Sequence, residues 1–168
     1  NYRGGHLFVV GGANSAGQAA MHFSRYAGQV TMLVRGDNLN KAMSHYLITQ
    51  IESTPNIDVR LHASVTRAGG TAQLEEIDIT DSTSGDTETL TAAALCLCIG
   101  AQPHTEFLGD TVARTDKGFL LTGPDLLQDG KPPKGWPLSR SPFALETSVP
   151  GIFAVGDVRE GVVRRVAS

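Results

Sequence analysis

The chain is short of several things, and each shortage removes a class of function. Two cysteines in 168 residues cannot build a disulfide scaffold and fit a reducing compartment, so a cytoplasmic setting is expected. Charged residues make up 18% with a formal net charge of −3, and Lys and Arg are scattered. No basic face is therefore expected for nucleic acid or an anionic membrane. The longest apolar run, Ala92 to Ala101, is ten residues, about half of a membrane span. No signal-peptide pattern is visible, and the first residue is Asn1, so the chain reads as cut from something longer. The histidines at 6, 22, 45, 62 and 104 have no metal-ligand spacing to one another or to the cysteines. No Gly-x-Ser-x-Gly elbow occurs. Neither Tyr26 nor Tyr46 is followed by lysine at the Tyr-x-x-x-Lys spacing of a short-chain dehydrogenase.

What is present is globular: 40% hydrophobic residues, in a length that buries roughly 70% of its unfolded surface. His6–Val10 is a short β-branched run between glycine pairs and reads as a buried strand. From Ser15, small and apolar residues recur at helical spacing until Gly28, which reads as a C-terminal cap. Val30–Val34 follows as a strand, so the segment has the length of a parallel strand–helix–strand crossover. A helix over Lys41–Ser53 and a strand at Ile57–Arg60 continue the pattern. The period then changes. Ala63–Arg67, Leu74–Thr80 and Glu88–Thr91, separated by turn signals, read as an antiparallel meander before another buried strand, Ala94–Ile99. Five of the eight prolines fall in the zone from Gly123 to Pro142, read as a linker. A last buried strand is expected at Ile152–Val155.

The chemical centre is the turn Gly11-Gly12-Ala13-Asn14-Ser15-Ala16. A dinucleotide site needs a tight first position, a second that lets backbone approach a pyrophosphate, and a sixth that lets helix pack on strand. Gly11, Ala13 and Ala16 take those places, and helix-start N–H groups with the helix dipole would hold the phosphates. The plainer reading is a tight turn with Ser15 as an N-cap. At the end of the second strand stands Arg35 rather than an acid, with Asp37 two residues on. An Arg there points to the 2′-phosphate of NADPH.

Three segments then carry a family resemblance. Val9–Ala20 resembles the NADPH-binding turn of low-molecular-weight thioredoxin reductases. Leu97-Cys-Ile-Gly100-Ala-Gln-Pro103 is similar to the strand and crossing that leave the NADPH domain in these flavoproteins. Leu145–Asp157 resembles their return segment, which ends on the flavin-binding pair Gly156-Asp157. The wording around Trp136–Arg140 and Asp157–Arg159 is most similar to a bacterial subgroup. The resemblance implies an α/β fold: a Rossmann-like parallel sheet with helices and an inserted meander, then a partial FAD-domain segment. It implies an NADPH-binding domain at 1–122 and a linker with a partial C-terminal FAD segment at 123–168. It also implies NADPH and FAD as cofactors, with hydride passing from NADPH to flavin and on to a disulfide. A thioredoxin-like protein is the implied partner and a homodimer the implied full-length state.

The chain departs from the family's His-Arg-Arg with Val34-Arg35-Gly36, and a further family Arg corresponds to Asn40, beside which Lys41 offers a substitute. Gln18 stands where an acid is common. The family's redox Cys-x-x-Cys has no counterpart in these residues. Cys96 and Cys98 alternate on one apolar strand, share a face, and read as small core hydrophobes. Two other readings stay open: a nucleotide-responsive regulatory domain without catalysis, and a flavin reductase with a non-thiol acceptor.

Overall fold

The computed structural model describes residues 3–161. The chain divides into two compact units, one up to Ile99 and one from Gly100 onward. The first unit runs β1 (His6–Val10), α1 (Asn14–Phe23), β2 (Gln29–Leu33), α2 (His45–Glu52), β3 (Ile57–Arg60), β4 (Ala63–Gly69), β5 (Glu76–Asp81), β6 (Thr87–Thr91) and β7 (Ala94–Leu97). β1, β2, β3 and β7 pair in parallel in the order β3-β2-β1-β7, and β4-β5-β6 form a separate antiparallel sheet. This is the Rossmann-like α/β fold with an inserted meander that the sequence implies.

The strand period explains the layering. Along β1, Leu7 and Val9 pack with α1 and α2, whereas Phe8 points to the other side, among Ile77, Ile79 and Ala92 of the meander region. β2 divides the same way, with Val30 and Met32 toward the helices and Leu33 toward the meander. A strand buried on both faces needs a nearly continuous apolar run. β1 supplies one after His6. In β2 the run from Val30 to Leu33 is interrupted only by the buried Thr31, whose hydroxyl is 2.8 Å from His6 Nε2. Phe8 is fully buried, worth about 1.5–3 kcal/mol for a side chain of this size.

Four expectations are corrected. α1 ends at Phe23, not at a cap on Gly28. The Asn56 amide donates to the carbonyls of Ser24 and Ala27, taking the capping role a left-handed glycine would have had. Gly28 is instead a point of close approach, since a Cβ there would meet the Gly4 oxygen at 2.4 Å. α2 begins at His45 rather than Lys41, because residues 39–43 form a turn, with Met43 N–H donating to the Leu39 oxygen at 3.1 Å, before Ser44 extends and caps the helix. β7 is an edge strand paired to β1 alone, and it ends at Leu97; Leu97 and Ile99 are exposed, not buried. Ile152–Val155 is no strand: Phe153 makes one bridge, to Glu146, and Ile152, Phe153 and Val155 stand 43%, 54% and 66% exposed. An apolar β-branched run reads as buried, but nothing among the described residues covers these side chains.

The second unit has no α-helix among the described residues, only short 3-10 turns at Glu106–Leu108, Gly123–Leu126 and Gly156–Val158 and isolated bridges. Val112, Leu120 and Ala154 form a small apolar core. Residues 100–122 pack within this unit. Its strongest polar feature is Glu146, fully buried yet well served. The carboxylate accepts from Arg140 at 2.6 and 3.0 Å and from the Phe143 and Gly151 amides at 2.9 Å. The Arg140 guanidinium lies 3.9 Å from the Phe143 ring centroid and 5.8 Å from that of Trp136, whose indole N–H donates to the Arg140 oxygen at 2.6 Å.

Arg140 above all, then the two amides, outweighs burial and holds the Glu146 carboxyl at about 2 against an ordinary 4.5. The folded value is the lower one. The stabilisation is therefore complete above pH 4.5 and is lost as pH falls toward 2. Trp136 is the chain's one tryptophan and reports on this cluster directly. Its fluorescence is expected to change in that acid window in the wild type, and Glu146→Gln is expected to abolish the step. Identical acid profiles for the two proteins would count against the assignment.

No helix among the described residues is long and apolar enough to cross a membrane. No group of three His, Cys, Asp or Glu among them could hold a metal ion.

Candidate functional site

In the first unit the strand order reverses between β1 and β7, because β2 and β3 lie to one side of β1 and β7 returns on the other. Open α/β sheets bind ligands beyond the carboxyl ends of the strands at such a point. Gly11 is the first residue past β1, with φ +142°. Its N–H donates to the Leu33 oxygen at 3.0 Å, and beside it Cys98 N–H donates to the Val10 oxygen at 2.8 Å. A Cβ on Gly11 would lie 2.5 Å from the Cys98 carbonyl oxygen and 3.1 Å from Ala16 Cβ. Only glycine fits there.

Gly12 follows, and a Cβ on it would meet Val34 Cγ1 at 2.8 Å. Ala13 is the N-cap of α1 in an extended conformation that L-residues accept (φ −104°), with its side chain exposed. Ser15 is therefore not the cap; it is exposed in the first turn. The first helical bond runs from Gly17 N–H to the Ala13 oxygen. The amides of Asn14, Ser15 and Ala16 thus lack intrahelical acceptors, the arrangement that suits a phosphate. Ala16 is fully buried, where a larger side chain would push helix from strand.

Two features of this corner escaped the sequence. The Asn14 carboxamide oxygen accepts the Ser44 N–H at 2.9 Å, tying the glycine turn to the start of α2. Gly17 lets α1 and α2 touch, since a Cβ there would meet Leu47 Cδ2 at 2.6 Å and Met43 Cε at 2.9 Å. A glycine inside a helical period was the available signal for the second. The first is a contact across thirty residues and left no local trace.

Val34 is buried and brings the chain past Gly12. Arg35, the next residue, is exposed and has no hydrogen bond or ion pair among the described residues. Lys41 is exposed, but its ammonium is 2.9 Å from Asp37 Oδ1. That contact is the main cause holding the Asp37 carboxyl below its ordinary range. So Gly11–Ala16, Arg35 and Lys41 all belong to the first unit, with Lys41 already partnered. Gly100 (φ +92°), Gly156 (φ +75°) and Asp157 belong to the second. Asp157 is the second residue of the last 3-10 turn, exposed and without a partner among the described residues.

Cys96 and Cys98 share a face, with Sγ atoms 3.9 Å apart, and both pack against the helix-side core. Burial, then the neighbouring Cys96, pushes the Cys98 thiol up to about 11. Such a thiol stays protonated at neutral pH and is a poor nucleophile.

The residues present fit both implied groups. Three unpaired amides, a turn closed to any Cβ and a free guanidinium suit a dinucleotide carrying an additional phosphate. An unpartnered carboxylate on a left-handed glycine turn suits the hydroxyls of a flavin cofactor.

The model of the pyridine nucleotide-disulphide oxidoreductase family matches residues 2–168. This chain belongs to that family. Among curated members, the chain is 32% identical over 164 residues to "Thioredoxin reductase" of Chlamydia trachomatis, covering 98% of this chain and 46% of that protein. With "Thioredoxin reductase" of Dictyostelium discoideum it shares 28% over 166 residues, covering 98% of this chain and 45% of the relative. The chain thus spans about half the length of the curated relatives it matches. The crystal structure of Lactococcus lactis thioredoxin reductase superposes with a TM-score of 0.78 at 21% identity, over 99% of this chain and 48% of that one. The family relatives come from organisms this diverse, so the match does not single out a bacterial subgroup.

Proposed function

We propose that this chain is the NADPH-binding part, with the start of the FAD segment, of a disulfide oxidoreductase of the thioredoxin-reductase kind. Flavin, when bound, supplies the acceptor chemistry for hydride from NADPH. This chain's residues bind and orient. The unpaired amides of Asn14, Ser15 and Ala16 receive the pyrophosphate, Gly11 keeps the turn tight enough for that approach, and Arg35 receives the 2′-phosphate. Asp157 accepts hydroxyls of the flavin's ribityl region. Residues 1–122 serve the nucleotide and 123–168 the linker and the flavin-facing segment, although residues 100–122 pack with the latter. The disulfide-reducing pair lies outside these residues, since Cys96 and Cys98 are the only cysteines here. A thioredoxin-like protein as acceptor, a homodimer and a cytoplasmic setting belong to the same proposal.

The observation that carries this reading is the glycine turn at the point of strand reversal, with a free Arg35 beside it. The test is an absorbance spectrum of the intact protein before and after NADPH. The expected result is a flavin band that bleaches on addition. A protein that binds NADPH but shows no flavin band would favour a regulatory nucleotide domain instead. Asp157→Ala in the intact protein is expected to lower flavin content per chain, and unchanged content would reduce Asp157 to a turn residue.

A further inference from the structure

The loop after β2 carries one charge too many for a simple phosphate clamp. Arg35, Asp37 and Lys41 fall in a seven-residue segment, leaving it one net positive charge where two lysine or arginine side chains alone would leave two. The Asp37 carboxylate is held in place. Its Oδ1 accepts from Lys41 Nζ and from Asn38 Nδ2, each at 2.9 Å. Asn38 directs its amide N–H there although its own Oδ1 is left buried without a partner. The loop backbone is also pinned. Gly36 oxygen accepts from His62 N–H at 3.1 Å and Val34 oxygen from Ala63 N–H at 3.0 Å. His62 turns the chain here with φ +55°, and its imidazole lies within electrostatic reach of Asp37.

We propose that Asp37 is a specificity-determining residue of the nucleotide site: it withdraws Lys41 from the 2′-phosphate and sets a carboxylate beside it, so that NADH competes with NADPH. The inference rests on the reading of Arg35 as the phosphate ligand. A carboxylate at the ribose end of a dinucleotide site accepts the hydroxyls of NADH and repels the phosphate of NADPH, whereas a cation does the reverse. This loop holds both kinds of group, one cation free and the other neutralised. Exposure keeps each contribution moderate. Removing the carboxylate and freeing Lys41 together is expected to raise the preference for the phosphorylated nucleotide about five- to tenfold.

The test is calorimetric titration of the intact protein with NADP⁺ and with NAD⁺. It compares the wild type, Asp37→Asn, and Asp37→Asn combined with Lys41→Ala. Asp37→Asn keeps the side-chain shape at an exposed position. It is expected to tighten NADP⁺ while leaving NAD⁺ unchanged or weaker, and the added Lys41→Ala should remove most of the gain. An affinity ratio within twofold of wild type, or a gain that persists without Lys41, overturns the proposal. A wild-type protein that binds neither nucleotide refutes the Arg35 reading itself and this inference with it.

Discussion

Arg35→Ala is expected to weaken NADPH binding by about 10- to 150-fold, the range for losing charge-assisted hydrogen bonds to a phosphate. NADH, which has no 2′-phosphate, should change far less. The expectation follows from the state of the guanidinium: exposed and without a competing acceptor among the described residues. A ligand therefore meets it without first breaking an internal ion pair. Lys41 is the opposite case, since its bond to Asp37 must be exchanged before it can serve. Lys41→Ala alone should accordingly cost much less than Arg35→Ala. Equal losses for NADPH and NADH in the Arg35 variant would show that this side chain does not read the phosphate.

Gly11→Ala is the second change with a large expected effect. The added methyl would have to share space with the Cys98 carbonyl oxygen at 2.5 Å, at a φ of +142° that L-residues rarely adopt. The oxygen belongs to backbone engaged beside β1, so it cannot swing aside as a side-chain end could. Strain and overpacking together should destabilise the first unit by about 2–4 kcal/mol, and the displaced turn should lose nucleotide binding. Gly36→Ala is the matched control, because a Cβ there meets nothing closer than the Asn38 oxygen at 3.7 Å. Thermal melts with and without nucleotide separate the two effects. A Gly11→Ala protein as stable and as tightly binding as the Gly36→Ala control would show that the turn has room the structure does not reveal.

The parts of the fold that could be read in advance are those governed by local rules. β1 and β3 fall on the expected residues because glycines or turn residues bound short β-branched runs. The glycine turn could be read because its chemistry demands small residues at fixed spacing. What could not be read depends on partners far along the chain. The end of α1 was misplaced because Asn56 supplies its cap from beyond β2. Asn14 gave no sign of its bond to Ser44, thirty residues on, whereas the Asp37–Lys41 pair is local and its four-residue spacing was an available signal. Ile152–Val155 illustrates the reverse failure. Its apolar, β-branched composition is right for a strand, but composition carries no information on what lies across from it.

The pairing of β1 with β7 has a consequence for how the site comes into being during synthesis. The residues of the glycine turn leave the ribosome well before Cys98, yet the backbone at Cys98 is one wall of that turn and is made only after the whole meander has been translated. Until then the edge of β1 that β7 will cover lacks that partner and stays open to chance pairing. The interval is one of exposure for a strand with a fully apolar centre. The meander's own pairings are local and can close early, which shortens the effective distance β7 must cross to reach β1. On the proposed reading of the turn, the nucleotide site is complete only once β7 has paired with β1, so its assembly waits on a long-range pairing and not only on the loop that bears the motif.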